Sequence, residues 1–204
     1  MIVAIVPAAG MSTRMGQNKL LLTFNGQSLI ARAVDTLLAS QVDQLVVVLG
    51  HEAEKVKAQL QGKPIIFVQN PDYREGMSTS IRAGLRAVPA EAQAIMIYLP
   101  DQPLLEAADV DLLIRAFAEA KASHKSFVVP FFRGQRGNPV VLDALFRGTI
   151  LDVVGDVGCR RVIKRNPDRV LKVEMKTNHV VSDLDTLEDY ERLLNLPSLR
   201  PPKH

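Results

Sequence analysis

Short valine- and isoleucine-rich runs alternate with longer amphipathic segments along most of this chain. That alternation constrains the fold more than any other feature. The runs are residues 2–6 (IVAIV), 45–49 (LVVVL), 65–68 (IIFV), 94–99 (AIMIYL) and 127–129 (FVV). Apolar runs without a polar residue at every second position suit strands covered on both faces, as in a parallel sheet. The segments between them carry helical spacing instead. Residues 28–40 place Ile30, Ala33, Val34, Leu37 and Leu38 on one face. Residues 77–88 do so with Ile81, Leu85 and Val88, and residues 106–121 with Val110, Leu113, Ile114 and Phe117. The reading is an α/β fold, a Rossmann-like three-layer sandwich with a mostly parallel central sheet and right-handed crossovers.

The rhythm changes after Pro130. The run FFRGQRGNPVVL has turn residues Gly134, Gly137, Asn138 and Pro139 and predicts a hairpin or bent connection into another strand. A short helix is expected from about Gly158, short strands at VLKVEM (170–175) and HVVSD (179–183), and a last helix from near Thr186. This C-terminal third is expected to insert into or cap the preceding half. No Pro/Gly/Ser-rich linker divides the 204 residues, so residues 1–195 read as one domain followed by a tail, 196–204.

Composition narrows the function classes. Hydrophobic residues make up 47% of the chain, which excludes wholesale disorder. The net charge is +3 with no long run of like charges, so nucleic acid is not an expected partner. One cysteine, Cys159, excludes internal disulfides and a multi-cysteine metal site. No apolar stretch approaches the ~20 residues that span a bilayer. The N-terminal apolar run has no positive residues before it and stops at Pro7, unlike a signal peptide. The expected location is the cytoplasm, away from the membrane.

In open α/β sheets ligands gather at the carboxyl ends of strands, so the loops after strands matter most. The loop after the first run, PAAGMSTRMGQNK, holds small residues Ala8, Ala9 and Gly10, a second glycine, Gly16, and the cations Arg14 and Lys19. Small residues let backbone N–H groups approach an anion, and the cations suit a polyphosphate. The spacing fits neither GxxxxGK[ST] nor GxGxxG. A plain strand-to-helix turn with surface charges is the competing reading. Further on, Ser78, Thr79 and Ser80 follow Gly76 at a helix start, where capping is the ordinary role. Asp101 follows the fourth run and suits Mg2+, a hard cation needing few protein ligands; a turn or cap aspartate is the alternative. Asp185 with Glu188 fits a capping box. Arg74 reads as a solvated charge, and the four histidines show no ligand spacing.

The run AAGMSTRMGQNKLLL resembles the signature loop of nucleotidyltransferases with a nucleotide-diphospho-sugar transferase-like fold, and more specifically the molybdenum-cofactor nucleotidyltransferase family. The runs GMSTSIRAGL, LPDQPLL, RGNPVVL, GDVGCRR and SDLDTLEDY are similar to further segments of that family. Leu184 and Leu187 stand where its pattern has Ile and Pro. The resemblance implies that backbone from Ala8 to Gly10 meets base and ribose, and that Arg14 and Lys19 hold the triphosphate. Gly76 and Ser80 would line the base. Asp101 would bind Mg2+ with Asp185 as the second metal ligand and Asp183 a weaker candidate. Asn138 and Arg160 would face the acceptor. With Lys19, Arg14 and Asp101 as the catalytic set, the implied reaction moves a nucleoside monophosphate from an NTP onto the terminal phosphate of a molybdopterin-type cofactor and releases pyrophosphate.

The Ala8-Ala9-Gly10 sequence looks more like the cytidylyl branch than the guanylyl branch, so CTP is favoured over GTP. Nucleotidyl transfer to another small phosphate acceptor, such as a sugar phosphate, uses the same fold. A non-enzymatic alternative is a chaperone that hands cofactor to a molybdoenzyme. It would be expected to lack the metal carboxylates, and both are present. A molybdoenzyme or its chaperone is a further expected partner.

Overall fold

The computed structural model describes residues 1–152 and 159–195. The first four residues of the GDVGCRR segment, with the expected helix start at Gly158, and the tail at 196–204 lie outside the described residues. Strand β1 (Ile2–Ala8) is followed by a small hairpin, β2 (Thr23–Phe24) and β3 (Gln27–Ser28), and by helix α1 (Leu29–Leu38). Then come β4 (Gln44–Leu49), α2 (Ala53–Ala58), β5 (Ile66–Gln69), α3 (Met77–Ala87), β6 (Ala94–Ile97) and α4 (Ala107–Ala122). The remainder is β7 (Phe127–Phe132), β8 (Gln135–Arg136), β9 (Val140–Asp143), α5 (Arg147–Leu151), α6 (Arg160–Arg165), β10 (Val170–Glu174) and α7 (Leu187–Leu194).

The main sheet runs β10-β7-β9-β6-β1-β4-β5, with β8 paired to β7. β1 is parallel to β4 and to β6, β4 to β5, and β10 to β7; β9 is antiparallel to both β6 and β7. The sheet is mixed but mostly parallel. Both faces of β1 are covered because its side chains alternate. Ala4 and Val6 belong to the core that α1 and α4 cover on one side, and Val3 and Ile5 to the core on the other side, where α3 packs on β1. Each fully buried valine or isoleucine contributes about 1.5–3 kcal/mol relative to exposure, which is why these short runs define the sheet.

The first two thirds follow the sequence pattern closely. Helix α2 escapes the reading because it is six residues long and buries only Val56, too little for a period to show. The last third differs in two ways. β9 inserts between β6 and β7, so this part completes the same sheet instead of capping it. The strand expected at 179–183 is instead a 3-10 turn over Asn178–Val181. Its apolar signal comes from Val180, fully buried, whose carbonyl accepts from Gln102 Nε2 at 2.8 Å and from the Asn138 amide at 2.9 Å. One anchored residue satisfies the signal, and the chain turns there toward the carboxyl end of β6.

Helix α3 lies close on the sheet through Gly84. A Cβ there would stand 2.5 Å from Ile5 Cγ2 and 3.1 Å from Val48 Cγ2. Alanine gains about 1 kcal/mol in helix propensity. Overpacking against a fully buried branched side chain costs about 1–3 kcal/mol. Gly84→Ala is therefore expected to lower the urea midpoint of unfolding. A midpoint at or above that of the unsubstituted protein would show that α3 has room to lift off β1.

Candidate active site

β1 and β6 are neighbours, but the chain leaves β1 toward β4 on one side and reaches β6 on the other. This order reversal opens a crevice at the carboxyl ends of the two strands. The loop after β1 fills one side of it. Ser12 and Gly16 both take left-handed backbone, at φ 51° and 68°, and fold the loop back on itself. Ser12 Oγ accepts from the Lys19 amide at 3.1 Å, and Asn18 Oδ1 accepts from the Leu20 amide at 3.1 Å. These contacts aim the Lys19 side chain across the crevice.

Lys19 Nζ donates to Asp101 Oδ2 at 2.6 Å, to the Leu184 carbonyl at 2.8 Å and to Asp185 Oδ1 at 3.3 Å. Arg14 reaches the same Asp185 with both terminal nitrogens, each at 3.3 Å. The Lys19–Asp101 pair is largely withdrawn from water, with each side chain 17% exposed, whereas Arg14 is 70% exposed. Burial pulls the Lys19 ammonium down, but Asp101 and then Asp185 outweigh it, so its pKa is raised overall. It is protonated at neutral pH.

The last motif is corrected by one residue. Thr186, not Asp185, caps α7, and Asp189, not Glu188, completes the capping box. Asp185 is thereby released to face the crevice. The neighbouring Asp183 turns another way: its Oδ1 accepts from Gln102 Nε2 at 2.5 Å. Desolvation and the charge of Asp101 push its pKa up. The residue as a whole stays exposed, which limits the size of that effect.

The crevice encloses about 340 Å³. Among the sequence candidates, Ala9, Gly10, Arg14 and Lys19 line it from the first loop. Gly76, Ser80, Asp101 and Asp185 line it from the others. Ala8 does not; it is fully buried as the last residue of β1. Asn138 and Arg160 stand apart, in an adjoining cavity of about 290 Å³ that Asp183 also lines. The expected capping role of Ser78–Ser80 is not observed: no side chain caps the start of α3. Ser80 Oγ instead accepts from Asn70 Nδ2 at 3.0 Å, and Gly76 turns the chain at φ 108°.

Several lining residues escape the sequence reading, two of them with chemistry to offer. Tyr73 and Arg74 both face the crevice, the guanidinium 5.5 Å from the tyrosine ring. Arg74 is exposed, as expected of a solvated charge, and it also lines the cleft; its place two residues before Gly76 was the available signal. Arg136, which lines the adjoining cavity, was masked in the sequence by its Gly-rich surroundings. Cys159 is buried there, and burial pushes its thiol up to about 12, which leaves it unreactive.

Asp101 Oδ1 is buried and has no hydrogen-bond partner among the described residues. An orphaned carboxylate oxygen beside a second carboxylate suits a hard divalent cation, which completes its shell with water or phosphate oxygens. Asp101 and Asp185 are the residues that could hold one. No larger cluster of His, Cys, Asp or Glu able to hold a metal occurs among the described residues, and no described helix is long and apolar enough to cross a membrane.

Fold and crevice together define a Rossmann-like protein of the nucleotidyltransferase type. The chain belongs to the MobA-like NTP transferase domain family, whose pattern matches residues 4–170. It is 32% identical over 198 residues to the nicotine blue oxidoreductase of Paenarthrobacter nicotinovorans, covering 95% of this chain and 96% of that one. The molybdenum cofactor cytidylyltransferase of Escherichia coli is 22% identical, covering 91% and 92%. A solved structure from Mycobacterium sp. strain JC1, a homologue of Mycobacterium tuberculosis rv0371c, superposes with a TM-score of 0.81 at 27% identity, covering 95% and 94%. The Mycobacterium tuberculosis Rv0371c structure in complex with manganese gives 0.74 at 28%, covering 95% and 97%.

The ion cluster generates a stability prediction. Lys19→Met leaves two carboxylates facing each other, and Asp101→Asn leaves the ammonium under-paired. Each is expected to destabilise the protein. The double variant should lose less than the sum, with a coupling of about 1–3 kcal/mol in denaturant unfolding. Additive losses would show that the pair does not form in solution.

Proposed function

We propose that residues 1–195 act as one Mg2+-dependent nucleotidyltransferase unit. It moves CMP from CTP onto the terminal phosphate of a molybdopterin-type acceptor and releases pyrophosphate. The convergence of Lys19, Asp101 and Asp185 at the switch point of the sheet carries this reading. The chemistry brings two anions together. An oxygen of the acceptor phosphate forms a bond to the α-phosphorus while the bond from α-phosphorus to the pyrophosphate oxygen breaks. A phosphate monoester is already anionic, so the step needs little general-base help. What it needs is charge neutralisation and in-line positioning.

On this reading Lys19 supplies a permanent positive charge at the α-phosphate, and the exposed Arg14 takes the departing pyrophosphate. Gly76 and Ser80 border the base, with Tyr73 and Arg74 beside them. Asn138 and Arg160 face the acceptor. A divalent cation held by Asp101 and Asp185 would neutralise phosphate charge when bound. Ala9, 1% exposed, narrows the wall of the crevice and favours a pyrimidine over the purine of GTP. The match to the Escherichia coli cytidylyltransferase supports the same choice. That resemblance also supports proposing a molybdopterin acceptor and a downstream molybdoenzyme, and the sequence reading supports proposing a cytoplasmic location.

The test is incubation with Mg2+, a molybdopterin acceptor and each NTP in turn, with product mass and pyrophosphate as readouts. The expected product is the CMP adduct, with GTP the poorer donor. Lys19→Met and Asp101→Asn should each slow turnover by about 10²–10³-fold. The name of the 32%-identical relative motivates a control, oxidation of NADH or NADPH in the same samples with a dye added as the electron acceptor. Cofactor oxidation without pyrophosphate release from any NTP would overturn the transferase reading.

A further inference from the structure

The charged groups of the crevice are engaged with one another. An ammonium has three donor hydrogens. Lys19 Nζ directs them to Asp101 Oδ2 at 2.6 Å, the Leu184 carbonyl at 2.8 Å and Asp185 Oδ1 at 3.3 Å. Arg14 takes both oxygens of Asp185 with its two terminal nitrogens, each at 3.3 Å. Two cations and two carboxylates thus balance in charge. Of their carboxylate oxygens, Asp101 Oδ1 alone has no hydrogen-bond partner among the described residues.

This balance opposes either ligand taken singly. A divalent cation approaching Asp101 and Asp185 meets an ammonium already within hydrogen-bond distance of both. Like charges repel strongly where water is partly excluded. A cation that displaced Lys19 would leave an ammonium whose side chain is only 17% exposed without its counter-charge. A triphosphate meets the converse problem. To draw Lys19 and Arg14 onto its oxygens it must strip them from Asp101 and Asp185, and two bare carboxylates would then face the anion. When both ligands arrive, every charge keeps a partner: the cation takes the carboxylates, and the phosphates take Lys19 and Arg14.

Burial ranks the opposing contacts. The Lys19–Asp101 pair is short and largely withdrawn from water, so Lys19 is the main barrier to a lone metal ion. Arg14 is 70% exposed, and water and salt screen its charge. Asp185 touches both cations, so it is the carboxylate that most directly competes with a triphosphate for them. Its side chain is 43% exposed, so it can be neutralised without leaving a fully buried group unpaired.

We infer that Lys19 and Arg14 are internal competitors of the divalent cation, and Asp101 and Asp185 internal competitors of the triphosphate. Each ligand then binds weakly alone and raises the affinity for the other. The inference rests on the proposed roles of these four residues and adds the regulation of their site. The coupling comes from an exchange of ionic partners within the crevice and needs no movement of the sheet. It is reciprocal, because linked binding equilibria must be.

The test measures binding, not turnover. Mn2+ alone is titrated into the intact protein, with loss of the free-ion electron paramagnetic resonance signal as readout. Lys19→Met is expected to bind Mn2+ about tenfold more tightly than the unsubstituted protein, within the span of about 5–150-fold typical of coupled sites. Lys19→Arg keeps the charge and should keep Mn2+ binding weak. Arg14→Gln should tighten it less, by about two- to threefold, because its charge is screened. The converse arm titrates CTP in excess EDTA, where Asp185→Asn should tighten binding by about fivefold or more. Loss of structure cannot produce gains of this sign. Mn2+ affinity unchanged or weaker in both Lys19→Met and Arg14→Gln would overturn the exchange, as would CTP affinity in EDTA indifferent to Asp185→Asn. Failure of pyrophosphate release would remove the transferase reading and leave the coupling standing; absence of these gains would remove the coupling and leave turnover as it is.

Discussion

One ammonium group ties the functional end of the molecule together. Lys19 Nζ binds oxygens from Asp101, Leu184 and Asp185, residues brought in from the end of β6 and from the loop before α7. Withdrawing a charge this far from water costs several kcal/mol unless it is well paired. Here three oxygens pair it, and the two carboxylates that would otherwise repel each other are held by the same cation. The Leu184 amide adds a further tie by donating to the Asp101 carbonyl at 2.9 Å. Three loops far apart in sequence are therefore set by one charge balance.

That balance depends on where the sheet puts the loops. β1 is central, with parallel neighbours on both sides, so its carboxyl end cannot move without disturbing β4 and β6. Close packing fixes the loops above it. A Cβ on Gly50 would meet Ala9 Cβ at 2.6 Å and Tyr73 Cβ at 2.8 Å. The loops after β1, β4 and β5 thus touch through the smallest available residue. Thr186 capping α7 is the other requirement, because a capping Asp185 would turn its carboxylate toward the helix amides and away from Lys19.

The inserted strand β9 extends the same logic. By separating β6 from β7, it leaves room beside the crevice for the cavity that Asn138 and Arg160 line. Val180 anchors the crossing: its carbonyl takes hydrogen bonds from Gln102, next to Asp101, and from Asn138, next to the turn into β9. Val180 thus helps fasten the crevice to the adjoining cavity, alongside the bond from Gln102 to Asp183.

The sequence by itself determined the layer order and the loops that matter. Runs such as IVAIV and LVVVL have only one stable use, burial on both faces, and the loop cations Arg14 and Lys19 follow directly from the first run. It could not place the C-terminal third, where runs such as HVVSD are too short to separate a strand from an anchored turn. Nor could it separate Asp185 from Asp183, or a capping aspartate from one that faces the crevice, since Asp185, Thr186, Glu188 and Asp189 offer overlapping capping boxes. Arg74 and Arg136 carry no periodicity at all. Only the tertiary structure decided these points, because each depends on which distant group a side chain meets. Local pattern reports whether a residue is buried; charge pairing across a crevice is set by chain topology, and short-range sequence does not encode it.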